Sequence, residues 1–469
     1  MRLAGDRPQA LAQLAEIERI DPTNRTALAE RHSLGGDAAA RKELGRLLGG
    51  QSQEALEESL FYSRLERWSE AAELLRMVET DNHDPFGTPP EFYYTFAYYL
   101  KRAGASSEAA ECLRKARAAR GRVDRFPYRA ETEAPLAEAL KADPGDGLAR
   151  FLMGCLLYHL ERPAEAIEHW EAAVRADQRS FPARRALGLA YAEQGLPVEA
   201  AAAQLEAAVE INPAHVQTFN DLSSLYARAG RFDEQLLLVK KALARSPQDD
   251  NLAEAVLTAS LAKGRYDEAE KLVTNHRFAP RHRVYTLRDK YRILRFGQAA
   301  AAYHRSDFSE ALRLFESAMK PPVSLGVDDF ASQSTPRMEY YAGRVLDALG
   351  KGEEARQAYR RAIQGIEHLS GDRDSLNSEN FHMVLALDRL GRGEEAARIE
   401  MRMVAFARAE LDSKVPRRRA EARYLLALAQ KRAGRGAEAR RSMEEAIGIL
   451  PDFLLPRLEL RGDVLDPLR

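Results

Sequence analysis

Six aromatic side chains crowd the ten residues Glu91–Leu100, EFYYTFAYYL, the densest concentration of contact-making chemistry in the chain. A helix offers its core an apolar stripe about 100° wide, which cannot hold six rings. If Ala97 faces a partner helix, Tyr93 and Leu100 share that side by three- and four-residue spacing, and Tyr94 and Tyr98 lie together on another face. Tyrosine supplies large amphipathic contact area at low entropic cost, so an exposed Tyr94–Tyr98 pair suits a binding surface. The alternative is packing of the pair against the preceding helices or against an insertion at 119–135.

The other chemically capable residues form no catalytic set. The chain has no HExxH, no GxxxxGK[ST], no GxGxxG and no GxSxG. Its ten histidines are scattered. Arg281-His282-Arg283 could meet an anion but reads more simply as a solvated loop. His159 and His169 fall on successive helical segments and lack the further ligands a metal needs. Glu353-Glu354 and Glu394-Glu395 precede apolar helical positions, where first-turn carboxylates complement the helix dipole. The densest basic run, Arg417-Arg418-Arg419, has no interleaved aromatics and reads as a loop entering a helix. Cys112 and Cys155 sit in apolar helical stretches, too few for a disulfide framework or a cysteine zinc site. No enzymatic activity, cofactor or metal is expected.

The chain-wide totals agree. Seventy basic and seventy-one acidic residues leave a formal charge of −1, so no global field favours nucleic acid or an anionic membrane. A chain 45% hydrophobic and 30% charged is a folded one. No run approaches eighteen apolar residues and the start shows no secretory pattern, so a cytoplasmic location is the default expectation.

What positions these residues is a repeat of about 34 residues. A small residue is followed by Ala twelve positions on and by another Ala seven beyond. It appears as Gly154, Ala166, Ala173; Gly188, Ala200, Ala207; and Gly343, Ala355, Ala362. Ala97, Ala109, Ala116; Ala299, Ala311, Ala318; and Ala427, Ala439, Ala446 repeat it. Close helix crossings need small side chains, so the repeat encodes helix pairs that bury their faces by stacking on neighbours. Glycines such as Gly104, Gly195, Gly230, Gly350 and Gly434 end the first helices, and Asn212-Pro213, Pro247 and Pro451 close units. Ser223, Gln235, Ala242 departs from the pattern, and its pair is expected to sit wider.

These features resemble tetratricopeptide repeats. The aromatic that family places four residues after the middle Ala is matched by Trp170, Phe315 and Tyr359. The resemblance implies an all-α fold, a right-handed α-solenoid (superhelix) of roughly ten helix pairs. The expected organisation is a partial or irregular capping repeat at 1–50, an amino-terminal array at 51–274 with an insertion at 119–135, and a carboxyl-terminal array at 275–469 with insertions at 275–290, 320–337 and 369–380. Residues 1–22 match only the second half of a unit, which fits a lone capping helix or, preferably, the carboxyl-terminal part of a longer chain. The order FPYRAETE, LARFLMGCLLYHLERPAEAIEHWEAAV, FNDLSSLYARAG, an RF–P loop, PPVSLG and a final PDF also resembles the repeat tail of bacterial proteins whose amino-terminal half is a β-rich, mutarotase-like domain.

In the resembled family the first helix of each unit lines a concave groove. That register implies partner contacts from Tyr94, Tyr98, Phe151, Tyr158, Arg185, Asn220, Tyr340 and Arg344. Cys155, Leu189, Ser224 and Asp347 would stand beside them. The Lys and Asn set with which some members clamp a terminal carboxylate is missing. The expected function is a non-catalytic protein–protein interaction scaffold holding a peptide or partner domain. The rival expectation is an accessory module docking a β-rich carbohydrate-active or carbohydrate-sensing domain. Nucleic acid and membrane are not expected partners.

Overall fold

The structure is a computed structural model, and it describes residues 6–80, 87–119, 126–280, 284–326, 335–366 and 376–467. Among the described residues the secondary structure is helical throughout, with no strand. The chain divides into two compact units, Met1–Pro213 and Ala214–Arg469. The division expected at 274/275 falls inside the second of them.

The first unit holds α1 (Arg7–Ile20), α2 (Arg25–Gly35), α3 (Ala38–Leu48), α4 (Ser52–Arg64), α5 (Trp68–Thr80), α6 (Pro90–Arg102) and α7 (Ser106–Ala118). It continues through α8 (Glu133–Ala142), α9 (Gly147–His159), α10 (Pro163–Ala176), α11 (Phe181–Glu193) and α12 (Val198–Ile211). The second unit holds α13 (Val216–Arg228), α14 (Phe232–Leu243), α15 (Asp250–Ala262), α16 (Tyr266–Asn275), α17 (Val284–His304), α18 (Phe308–Ala318) and α19 (Pro336–Ala348). After these come α20 (Gly352–Ala362), α21 (Phe381–Arg389), α22 (Gly393–Glu410), α23 (Pro416–Arg432), α24 (Gly436–Ile449) and α25 (Leu454–Arg461). Consecutive helices pack as hairpins, while α1, α8 and α25 stand outside the pairing. The irregular cap expected at 1–50 contains α1 and a full pair, α2 and α3.

The small-residue skeleton lies in the packing. Ala166, Ala173, Ala299, Ala311, Ala318, Ala427, Ala439 and Ala446 are completely buried. A Cβ added to Gly154 would stand 2.5 Å from Nε1 of Trp170, and one added to Gly343 would stand 2.5 Å from Cε1 of Tyr359. The ring four residues after the middle Ala therefore leans back over the glycine of its own pair, and a hydrogen atom is all that fits there. One register shifts. The residues buried on α12 are Ala201 and Ala208 rather than Ala200 and Ala207, because the turn through Gly195, Leu196 and Pro197 carries one residue more than its counterparts. At the departing pair, Nε2 of Gln235 donates to Oγ of Ser223 at 3.0 Å, so a buried hydrogen bond replaces the usual Ala contact.

Gly104, Gly195, Gly230, Gly350 and Gly434 all take positive φ, the left-handed turn conformation that ends the first helix. Among the described residues three turns reach that conformation without glycine, at Glu66, Glu161 and Ser306.

Described parts of the first three insertions pack against neighbouring elements. Residues 126–132 stand where the first helix before α8 is missing. Arg129 is buried there and pairs with Glu57 of α4, and Thr132 donates to the buried Glu91 at 2.9 Å. The RF–P loop and the PPVSLG segment meet: Phe278 N–H donates to the Ser324 carbonyl at 2.8 Å. Asp250 holds the same loop through His276 at 3.0 Å and the Ala279 N–H at 3.1 Å. Arg281-His282-Arg283 and most of the 369–380 insertion lie outside the described residues.

Candidate binding surface

The aromatic segment 91–100 becomes α6, and α6 is surrounded. It packs on α4, α5, α7 and α8, so rings on every side find apolar neighbours. Phe92, Tyr94, Phe96 and Tyr99 are buried, while Tyr93 and Tyr98 are half-buried. A single stripe is the wrong picture for a helix enclosed on all sides.

Tyr94 accordingly leaves the groove. It is fully buried, and its hydroxyl donates to both carboxylate oxygens of Asp146 at 3.0 Å. Asp146 is the N-cap of α9, accepts the Ala149 N–H at 3.1 Å, and receives Nε of Arg117 at 2.9 Å. Tyr98 meets the preceding pair edge-on through Trp68, ring centroids 5.6 Å apart, with Arg102 lying over both rings. Phe151 is buried, with Phe126 of the insertion edge-on at 6.0 Å. Tyr340 is also buried, among Tyr341, Tyr359 and His382. Tyr94, Phe151 and Tyr340 are thus packing residues, which corrects their expected projection into open space.

The remaining expected contacts keep some exposure. Tyr158 is half-buried, its ring tilted over Trp170 and its hydroxyl donating to Glu193; burial and that carboxylate push its pKa up to about 12. Arg185 and Asn220 are half-buried on the first helices of their pairs. Burial works against the charge on Arg344, but Asp466 and the Tyr340 oxygen raise its pKa above the ordinary arginine value.

That last contact exposes what the sequence left unread. Residues 454–466 meet helices of both kinds in the second unit, at α14, α15, α16, α17 and α19. Arg457 stacks over Phe232, its guanidinium carbon 4.6 Å from the ring centroid. Arg461 donates to the carbonyls of Ala262 at 2.5 Å and Leu261 at 3.2 Å, capping the end of α15. Asp463 accepts the Tyr266 hydroxyl at 2.8 Å, His304 Nε2 donates to the Val464 carbonyl at 2.7 Å, and Asp466 pairs with Arg344. Glu459, itself buried, takes Lys431 at 2.7 Å. Leu454, Leu458, Val464 and Leu465 bury the aliphatic side of the segment. The acidic and aliphatic alternation of ELRGDVLD was the only available sign of this, and it matches no part of the repeat.

Burial pushes the Cys155 thiol up to about 12, away from a thiolate nucleophile. His169 is lowered by burial and by Arg150. Among the described residues no three His, Cys, Asp or Glu side chains are grouped to hold a metal ion, and no helix is long and apolar enough to cross a membrane.

Stacked helix hairpins define an all-α helical-repeat protein. The tetratricopeptide repeat family matches residues 133–180, 151–216 and 198–250, so the chain carries tetratricopeptide repeats over that stretch. Among solved structures, MamA is similar at 25% identity over 30% of this chain and 82% of its own, with a TM-score of 0.28. A tetratricopeptide repeat protein from Parabacteroides merdae is similar at 15% identity over 64% of this chain and 100% of its own, with a TM-score of 0.30. YrrB, described as a TPR protein with an unusual peptide-binding site, shows 18% identity over 46% of this chain and 97% of its own, with a TM-score of 0.27. No curated protein matches. None of these comparisons points to a β-rich or carbohydrate-related partner.

Proposed function

We propose that the protein is a non-catalytic interaction scaffold whose second unit holds a peptide segment across α16, α17 and α19. The observation that carries the reading is the chain's own segment 462–466. Its Asp463 and Asp466 carboxylates, its Val464 carbonyl and its aliphatic side chains are each met by a different helix, at Tyr266, Arg344 and His304. Charged, hydrogen-bonding and apolar groups are spaced there for an acidic, aliphatic peptide. Asn220, half-buried on α13, supplies a further contact of this reading within the second unit, and Tyr98, Tyr158 and Arg185 are proposed as separate contacts of the first.

The test uses the full chain carrying D463K and D466K, which turns the tail's anchors repulsive, and a labelled peptide of the tail sequence added in trans. Saturable one-to-one binding to the double variant is expected, at least tenfold weaker to the unaltered protein, whose own tail competes at an effective concentration in the millimolar range. A peptide carrying the Asp466→Lys change should bind at least tenfold more weakly. Equal binding of both peptides, or none by either protein, refutes the reading.

A further inference from the structure

The second unit carries a further feature beside the tail. A cavity of about 830 Å³ opens between α17, the start of α19, the residues before α21, the end of α22, α23 and the start of α25. It shares its walls with the tail site. On α17, Arg292 and Phe296 line the cavity and His304, two turns past Phe296, meets the tail. On α19, Arg337 lines the cavity and Arg344, seven residues on, pairs with Asp466.

The lining has two halves. One is apolar, built by Phe296, Phe406, Leu425, Phe453 and Leu455. The other is charged, with Arg288, Arg292, Arg337, Arg417 and Arg418 set against Asp289, Glu379, Glu410 and Glu421. Asp289 is shared by two guanidiniums, at 3.1 Å from Arg288 and 3.7 Å from Arg292. Glu379 faces Arg337 at 3.1 Å, and Glu421 is engaged by the Ser378 N–H at 2.8 Å. Five cations against four anions leave one positive charge in excess, with Arg417 and Arg418 exposed at the rim. Burial first, and then the neighbouring Arg288, hold the Arg292 guanidinium below its ordinary value, with Asp289 and Glu379 opposing them.

We infer that this cavity binds a small amphipathic organic anion, one carboxylate or comparable charged group on an alkyl or aryl body. The volume falls within the range of small-molecule sites, roughly 300–1,000 Å³. A neutral apolar ligand would make no use of the rim guanidiniums of Arg417 and Arg418, and a bare inorganic anion would leave the phenylalanine wall against water. A ligand in place would also touch Phe453 and Leu455, which begin the segment seated on the tail site. The inference stands independently of the peptide reading, since it concerns the open half of the surface.

The probe is 1-anilinonaphthalene-8-sulfonate, an aryl anion that fluoresces on entering apolar surroundings, displaced from the full-length protein by hexanoate, octanoate and decanoate. We expect one saturable site, with carboxylates binding about three- to fourfold more tightly per added methylene, and decanol at least tenfold weaker than decanoate. R292M and the rim pair R417E/R418E should each weaken decanoate at least tenfold, and A422W should block the site. Decanoate should raise the melting temperature of the unaltered protein and not of A422W. The rim pair is exposed, so its variant keeps the test decisive where a buried change disrupts folding. The inference is overturned by equal displacement by decanol and decanoate, by affinity unchanged in R417E/R418E, by the absence of a saturable site, or by an acidic peptide competing as well as decanoate.

Discussion

Replacing Gly154 by Ala adds one methyl group, and at most helical positions it would stabilise. Helix propensity alone favours Ala by about 1 kcal/mol. Here the new Cβ would lie 2.5, 2.6 and 2.9 Å from Nε1, Cδ1 and Cε2 of Trp170. The indole cannot move aside freely, because it is buried and its Nε1 donates to the Phe151 carbonyl at 3.1 Å. Overpacking of a filled site costs about 1–3 kcal/mol, and losing the indole hydrogen bond adds about 1 kcal/mol. Against the propensity gain, the net expectation is a loss of about 1–3 kcal/mol centred on α9 and α10. Gly45→Ala is the matched control: Gly45 lies inside α3, and nothing stands within 4 Å of the added Cβ. That variant should gain about 0.4–1 kcal/mol. Because stacked repeats open locally, hydrogen exchange of peptides covering 147–176 is the sharper assay, with thermal melts beside it. Trp170→Phe in the Gly154→Ala background should recover part of the loss, as the smaller ring vacates the collision. A Gly154→Ala protein that melts and exchanges like its parent would refute the account of the crossing.

Asp146→Ala removes the cap of α9 together with the partners of Tyr94 and Arg117, so urea unfolding should show a loss of at least about 2 kcal/mol, and Tyr94→Phe about 1–2 kcal/mol. Glu161→Gly relieves a left-handed residue whose side chain is exposed, and should raise stability by about 1 kcal/mol in the same assay. His382 is held down to about 3 by burial and by Arg337, with Glu379 only partly opposing them. Its folded pKa lies below the unfolded value of about 6.5, so its contribution is fully present above pH 6.5 and falls away on acidification toward 3, by up to about 1.4 kcal/mol per pH unit. His382→Gln should flatten the decline of melting temperature between pH 6.5 and 5, and an unchanged decline would show that other groups cause it.

The spacing of small residues was enough to establish helix pairs, their stacking and most of their boundaries. Each Gly or Ala reports a purely local requirement, the distance between two neighbouring helices. The turn glycines were legible for the same reason. The off-by-one register of α12 was not, because one residue added to the Gly195–Pro197 turn rotates the following helix without disturbing its composition. The fate of the aromatics was beyond the sequence as well. Tyr94 and Tyr98 differ by one helical turn, yet one is sealed against a cap on α9 and the other leans on Trp68. Periodicity names a face, but how many neighbours enclose that face depends on elements 50 residues away. The largest gap concerned the carboxyl terminus. Arg344 and Asp466 are too far apart along the chain for any local pattern to join them, and only the packing of the second unit brings them together. Repeats are written in short-range spacing, whereas the choice of which groups remain open to a partner is made by long-range contacts, and those exist only in three dimensions.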